Sequence, residues 1–161
     1  MWHLSLFEPG ELVRIAMELE KRGVTLYRQL AQKTVSSPVK DLLELLASEE
    51  EQHQLDFAAL GGDFEPVDPR ESYSGEYLDY VRSLVETHIF NDLVLLERMV
   101  SEAQTEKEVL RLAARLEKET ILFFISMGHV IKPEKRQVVD DLIAQEEGHL
   151  AKIGRLLKEI R

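Results

Sequence analysis

The sequence of 161 residues contains no cysteine. Without thiols the chain cannot form disulfides, thiolate zinc sites, iron–sulfur clusters, c-type haem attachments or a catalytic cysteine. Any metal ion must therefore be bound through oxygen and nitrogen atoms, and carboxylates and imidazoles are the side chains that supply them.

Glycine and proline are also scarce, with 8 and 5 residues respectively. Together they make up about 8% of the chain, against roughly 12% in average usage, so turns must be few. Since 44% of the residues are apolar and 31% are charged, the long segments between turns favour amphipathic helices and exclude a disordered chain. The length predicts one domain covering residues 1–161.

The chain has neither a long apolar run nor an excess of positive charge. Its longest apolar run, Ile121–Ile125, is far shorter than the ~18 residues of a membrane span, and Met1–Glu18 lacks the pattern of a signal peptide. Acidic residues outnumber basic ones by 30 to 20, which gives a net charge of −10. We therefore expect a cytoplasmic protein whose partners include neither nucleic acid nor a membrane.

Helical periodicity predicts an all-α fold. Apolar residues recur at intervals of three and four over four segments, which are about Pro9–Lys33, Ser37 or Pro38 to Leu60, Glu106–Val130 and Pro133–Ile160. Short turns join the first two segments and the last two. The crossover between these pairs, residues 61–105, is long, and its part from 76 to 100 is amphipathic and predicts one or two further helices. This alternation of short and long connections is a known topology of four-helix bundles.

The two helical pairs are copies of one pattern. The sequence Leu19–Lys21 recurs 97 residues later as Leu116–Lys118, and a Glu-x-x-His spacing in the second helix recurs 96 residues later in the fourth. The polar residues that the repeat keeps lie within the apolar stripes of the helices: Glu20, Glu50, His53, Glu117, Glu146 and His149.

Six ionisable side chains are thus predicted to point inward. An uncompensated buried carboxylate costs several kcal/mol, so four of them need a cationic partner. Two divalent ions would balance four glutamates if the two imidazoles are neutral. Carboxylate and imidazole ligands suit iron or manganese, and zinc is possible. The alternative is that the carboxylates lie on solvated helix faces.

This ligand pattern resembles the rubrerythrin-like branch of the ferritin-like superfamily. The resemblance extends over nearly the whole chain and implies a ferritin-like bundle in which these six residues bind two iron ions. The sequence also differs from the full-length rubrerythrins that it resembles in two respects. Those proteins have an additional rubredoxin-like module with four cysteines, and they have a further glutamate one helical turn after the third-helix ligand. Here there is no cysteine, and Thr120 stands at that glutamate's position.

The resemblance implies a non-haem di-iron oxidoreductase that reduces hydrogen peroxide or dioxygen, a reaction associated with oxidative stress. Its electrons would come from a separate donor such as a rubredoxin-like protein, and the resemblance also implies a homodimer. A ferroxidase that oxidises ferrous iron and passes it on would use the same ligands. A non-catalytic metal-binding scaffold with zinc or manganese is the third hypothesis.

Tyr27 is the candidate for a catalytic role next to the metal ligands, because it follows Glu20 by seven residues on the same helix face. Its hydroxyl would hydrogen-bond a ligand or a bound oxygen species, or its ring would simply pack in the core. Phe124 at the matching position shows that the repeat does not require the hydroxyl. Structural or surface roles are expected for the remaining histidines, His3, His88 and His129. The acidic neighbours of the ligands, Glu49, Glu51 and Glu147, are expected to be solvated. The crossover aromatics are expected to pack against the bundle, with a dimer interface as the alternative: Tyr73, Tyr77, Tyr80 and Phe90.

Overall fold

The computed structural model describes residues 9–60, 73–129 and 131–160, and within these ranges it contains helices and turns but no strand. Its helices are α1 (Pro9–Lys33), α2 (Ser37–Leu60), α3 (Glu76–Thr87), α4 (Leu93–Glu102), α5 (Glu106–Gly128) and α6 (Pro133–Glu159), with a short 3₁₀ helix at Ile89–Asn91. The predicted all-α class is confirmed. The first segment of the crossover, residues 61–72, lies outside the described residues.

Local chemistry accounts for several helix ends. The Thr105 side chain accepts a hydrogen bond from the backbone N–H of Glu108, whose carboxylate accepts one from the backbone of Thr105, and this capping box begins α5. Pro133 occupies the first turn of α6, where its missing N–H costs nothing. Gly75 precedes α3 with a φ of 90°, a backbone conformation that strongly favours glycine.

The four long helices form the predicted ferritin-like bundle. Helix α1 packs against α2 and α5 against α6, and contacts of α2 with α6 and of α1 with α5 join the two pairs. Apolar side chains from all four helices form one cluster among the described residues. Within it, the rings of Phe57 and Phe124 meet edge to face with centroids 5.0 Å apart, a favourable arrangement for aromatic pairs.

The crossover forms two helices along the outside of this bundle. Tyr77 of α3 is buried and donates a hydrogen bond to the carbonyl oxygen of Ser126 on α5. Phe90 is also buried, and its carbonyl oxygen accepts a hydrogen bond from Arg22 of α1. Tyr73 and Tyr80 are exposed, so packing within the chain explains only two of the four crossover aromatics.

None of the helices within the described ranges is long and apolar enough to cross a membrane.

Candidate metal centre

The structure brings all six inward-pointing residues together at the centre of the bundle. Helices α1 and α5 each provide one glutamate, and α2 and α6 each provide a glutamate and a histidine one turn later. Each of the six residues is at most 4% exposed. This burial rules out the alternative that the carboxylates lie on solvated faces of the helices.

The six side chains form two overlapping groups. In the first group, one oxygen or nitrogen atom from each of Glu20, Glu50, His53 and Glu146 lies within 4.8 Å of the others. The second group, with the same spacing, consists of Glu50, Glu117, Glu146 and His149. Glu50 and Glu146 belong to both groups, so two ions bound here would be adjacent and would share these two carboxylates.

Both histidines direct the same ring nitrogen toward the carboxylates. Nδ1 of His53 lies 2.7 Å from Oε1 of Glu146 and 2.9 Å from Oε2 of Glu50. Nδ1 of His149 lies 3.1 Å from Oε2 of Glu146 and 3.6 Å from Oε2 of Glu117. The rings are stacked with centroids 5.5 Å apart. Nδ1 is therefore the atom of each imidazole that is placed to bind an ion.

The opposite ring nitrogens contact residues that sequence reasoning did not select. Nε2 of His149 lies 2.9 Å from Oε2 of Glu49, and Nε2 of His53 lies 3.3 Å from Oε1 of Gln145. Glu49 was expected to be solvated, but it is half-buried and also pairs with Lys152, whose Nζ lies 2.7 Å away. The signal that could have revealed both residues is their position, since each directly precedes a glutamate of the Glu-x-x-His repeat.

Burial and mutual contacts control the protonation of the glutamates. Burial and the negative charge of Glu50 raise the pKa of Glu20 well above its usual range. Burial likewise raises the pKa of Glu117 well above that range, with repulsion by Glu146 contributing. Burial acts in the same direction on the two shared glutamates, but hydrogen bonds from the histidines and from the neighbouring carboxyl groups outweigh it and lower the pKa of both.

The pKa values of the two histidines are raised, although burial by itself would lower them. Burial acts to lower the pKa of His53 and His149, but hydrogen bonds to the surrounding carboxylates outweigh it and raise both values well above 6.5. Without a metal ion, these shifts favour protonated His53 and His149, protonated Glu20 and Glu117, and ionised Glu50 and Glu146. In that combination the charges cancel.

This site fits a pair of metal ions. Oε1 of Glu20 is buried and accepts no hydrogen bond from the described residues, a costly arrangement for a carboxyl group unless another partner binds there. The buried side chains of the described residues include no lysine or arginine. Four carboxylates and two imidazoles match the ligand preferences of iron and manganese. The residues present can therefore hold two divalent ions without further charge.

Tyr27 and Thr120 lie beside this cluster. Tyr27 is fully buried, and its hydroxyl donates a hydrogen bond to Oε1 of Glu117. Burial, with the proximity of Glu117 contributing, raises the pKa of the Tyr27 hydroxyl, so the hydroxyl remains protonated at neutral pH and donates this bond. Thr120 is 5% exposed and lies one helical turn after Glu117. Position 120, where the resemblance to rubrerythrins implies a further glutamate, is thus internal but uncharged.

The other histidines lie outside the cluster. Nδ1 of His88 accepts a hydrogen bond from the backbone N–H of Phe90 and so caps the 3₁₀ helix. Burial lowers the pKa of His88 to about 4. His129 is exposed at the end of α5, and His3 lies outside the described residues. Of the acidic neighbours, Glu51 and Glu147 are exposed, as expected.

Comparisons with known proteins agree with this architecture. The model of the rubrerythrin family matches residues 11–157. The crystal structure of a DUF305 fragment from Deinococcus radiodurans has a TM-score of 0.66 and 14% sequence identity, over 94% of this chain and 96% of that chain. At that identity the similarity concerns the fold alone. No curated protein matches the sequence.

Proposed function

The chain belongs to the rubrerythrin family, and on this premise we propose that it is a non-haem di-iron oxidoreductase that reduces hydrogen peroxide or dioxygen with electrons from a separate donor. The observation that carries the proposal is the overlap of the two ligand groups at Glu50 and Glu146. Two ions that shared these carboxylates would lie next to each other, as a reaction at both ends of an O–O bond requires.

The six ligands divide naturally between the two ions. Glu20 and His53 would bind one ion, Glu117 and His149 would bind the other, and the shared glutamates would bind both. When bound, a pair of iron ions supplies two electrons by passing from ferrous to ferric, and it polarises the oxygen atoms of the substrate. Reduction of one hydrogen peroxide to two water molecules consumes these two electrons and two protons.

The protein itself would exclude large molecules from the metal centre and orient one of the metal ligands. Because each ligand is at most 4% exposed, only a small substrate can reach the centre, and peroxide and dioxygen are both small. The Tyr27 hydroxyl fixes the orientation of Glu117 through its hydrogen bond. The electrons must arrive from another centre, because a sequence without cysteine contains no iron–tetrathiolate site.

A ferroxidase is the second candidate, and Thr120 is the observation that favours it. The resemblance associates peroxidase activity with a glutamate at this buried position, and threonine supplies no carboxylate there. A ferroxidase needs only the six ligands, with ferrous ion as its substrate.

Metal analysis and peroxide oxidation test these candidates together. The protein would be purified without chelators or a nickel column, its metals measured by mass spectrometry, and its reduced form treated anaerobically with one equivalent of peroxide. We expect two irons per chain and their complete oxidation, seen as new absorption in the near-ultraviolet and visible range. Repeated oxidation and release of added ferrous ion under air, with little response to peroxide, would instead indicate the ferroxidase. Zinc, together with no response after anaerobic iron loading, would refute both and leave the non-catalytic scaffold.

A further inference from the structure

The two halves of the metal centre differ in the residue that contacts Nε2 of the histidine, the ring nitrogen that faces away from the carboxylates. Glu49 and Gln145 occupy equivalent positions, since each directly precedes a shared glutamate. Each contacts the histidine of the opposite Glu-x-x-His helix through the ring nitrogen that faces away from the carboxylates. Nε2 of His149 lies at ion-pair distance, 2.9 Å, from a carboxylate oxygen of Glu49, whereas Nε2 of His53 is hydrogen-bonded at 3.3 Å to the amide oxygen of Gln145.

This difference affects how strongly each imidazole can bind an ion. A neutral histidine that binds a metal through Nδ1 carries its proton on Nε2 and donates it to the residue behind. A hydrogen bond to a carboxylate is roughly twice as strong as one to a neutral amide, and it makes the metal-binding nitrogen more basic. Lys152 holds the Glu49 carboxylate in place with an ion pair of 2.7 Å. The position at His53 has only the neutral, more distant Gln145.

We propose that Glu49 makes the ion position bounded by Glu117 and His149 bind its metal more tightly than the position bounded by Glu20 and His53. A single ion would then occupy the His149 side first. This inference rests on the proposed metal centre and concerns the order in which its two positions fill. Glu49 acts through His149 and is therefore a positioning residue.

The test must identify which position fills first. Two dications that share Glu50 and Glu146 repel each other, so binding in two steps would arise even from identical positions. We would titrate the metal-free full chain with Co²⁺ by calorimetry and follow ¹³C-labelled histidine rings by NMR, because paramagnetic Co²⁺ shifts the signals of the ring that binds it. The variants are Glu49→Gln, the reciprocal Gln145→Glu, and Glu147→Gln as an exposed control on α6 with the same loss of charge.

With one equivalent of Co²⁺, we expect the ring signals of His149 to shift while those of His53 stay in place. Glu49→Gln should weaken the first binding step by roughly 10- to 100-fold, the usual effect of losing such a partner, and should distribute the first ion over both histidines. Gln145→Glu should strengthen the second step, and Glu147→Gln should leave both steps unchanged.

Two results would overturn the inference while leaving the proposed function intact. The first is that one equivalent of Co²⁺ shifts the ring signals of His53 first, or those of both histidines equally. The second is that Glu49→Gln binds Co²⁺ with the same affinities as the Glu147→Gln control. Failure of the unmodified protein to bind Co²⁺ at all would overturn the inference and the metal centre together. The circular dichroism and melting temperature of each variant would show that a lost affinity does not come from a lost fold.

Discussion

Loading the metal-free protein with two divalent ions at pH 7 should release up to four protons. Without metal, the raised pKa values of Glu20 and Glu117 favour the protonated form of both carboxyl groups, while the lowered values favour the ionised form of Glu50 and Glu146. Both histidines of the site carry a proton because their pKa values are raised. When all six residues bind metal, the four glutamates are ionised and the histidines are neutral, so two carboxyl protons and two imidazolium protons leave.

Calorimetry measures this number directly. Titrations with Mn²⁺ at pH 7 in buffers of different ionisation enthalpy give apparent binding heats, and the slope of heat against ionisation enthalpy is the number of protons released. The same linkage predicts that affinity rises with pH, by about a factor of ten per pH unit for each proton released. Both ions should therefore bind more weakly as the pH falls from 8 to 6.

The exposed Glu147→Gln variant should release the same number of protons as the unmodified protein, whereas Glu20→Gln should release about one fewer. Release of fewer than two protons by the unmodified protein would refute the reasoning. In that case either the glutamates are not the ligands or the metal-free site is not neutralised by its own protons.

Three further predictions concern stability and metal content. Above pH 6.5 the raised pKa values of His53 and His149 make the folded metal-free chain bind more protons than the unfolded chain. The free energy of unfolding should therefore fall as the pH rises, by about 1.4 kcal/mol per pH unit for each additional proton bound. Urea unfolding in the presence of chelator from pH 6.5 to 8.5 measures this fall, and a free energy of unfolding that does not change with pH would contradict it. Tyr27→Phe should lower the free energy of unfolding of the metal-free protein by about 1 to 3 kcal/mol, because the ring still fits but a buried oxygen of Glu117 loses its hydrogen-bond donor. If denaturant titrations give the variant and the unmodified protein equal stability, Tyr27 acts only as a packed ring. Glu146→Ala should remove both ions, since this glutamate belongs to both ligand groups, and one ion retained by mass spectrometry would show that it is not shared.

The sequence predicted the helices well where the apolar periodicity ended at proline or glycine residues. Leu60 is the end of α2 in both the prediction and the structure, because a glycine pair follows it, and the observed beginning at Ser37 is one of the two predicted positions, Ser37 or Pro38. The amphipathic segment from 76 to 100 left one or two helices open. The structure divides it, since the Asp92 side chain accepts a hydrogen bond from the backbone N–H of Leu95 and begins a new helix there.

The inward placement of the six ionisable residues also followed from the sequence by itself. Helical periodicity determines which face of a helix a residue occupies, and the repeat showed that the same faces carry the same charges. The pairing of Glu49 with His149, the placement of Gln145 behind His53, the sharing of Glu50 and Glu146, and the bond from Tyr27 to Glu117 were decided only by the tertiary structure. Each of these contacts joins two different helices, and the rotation and offset of one helix against another depend on how the whole core packs.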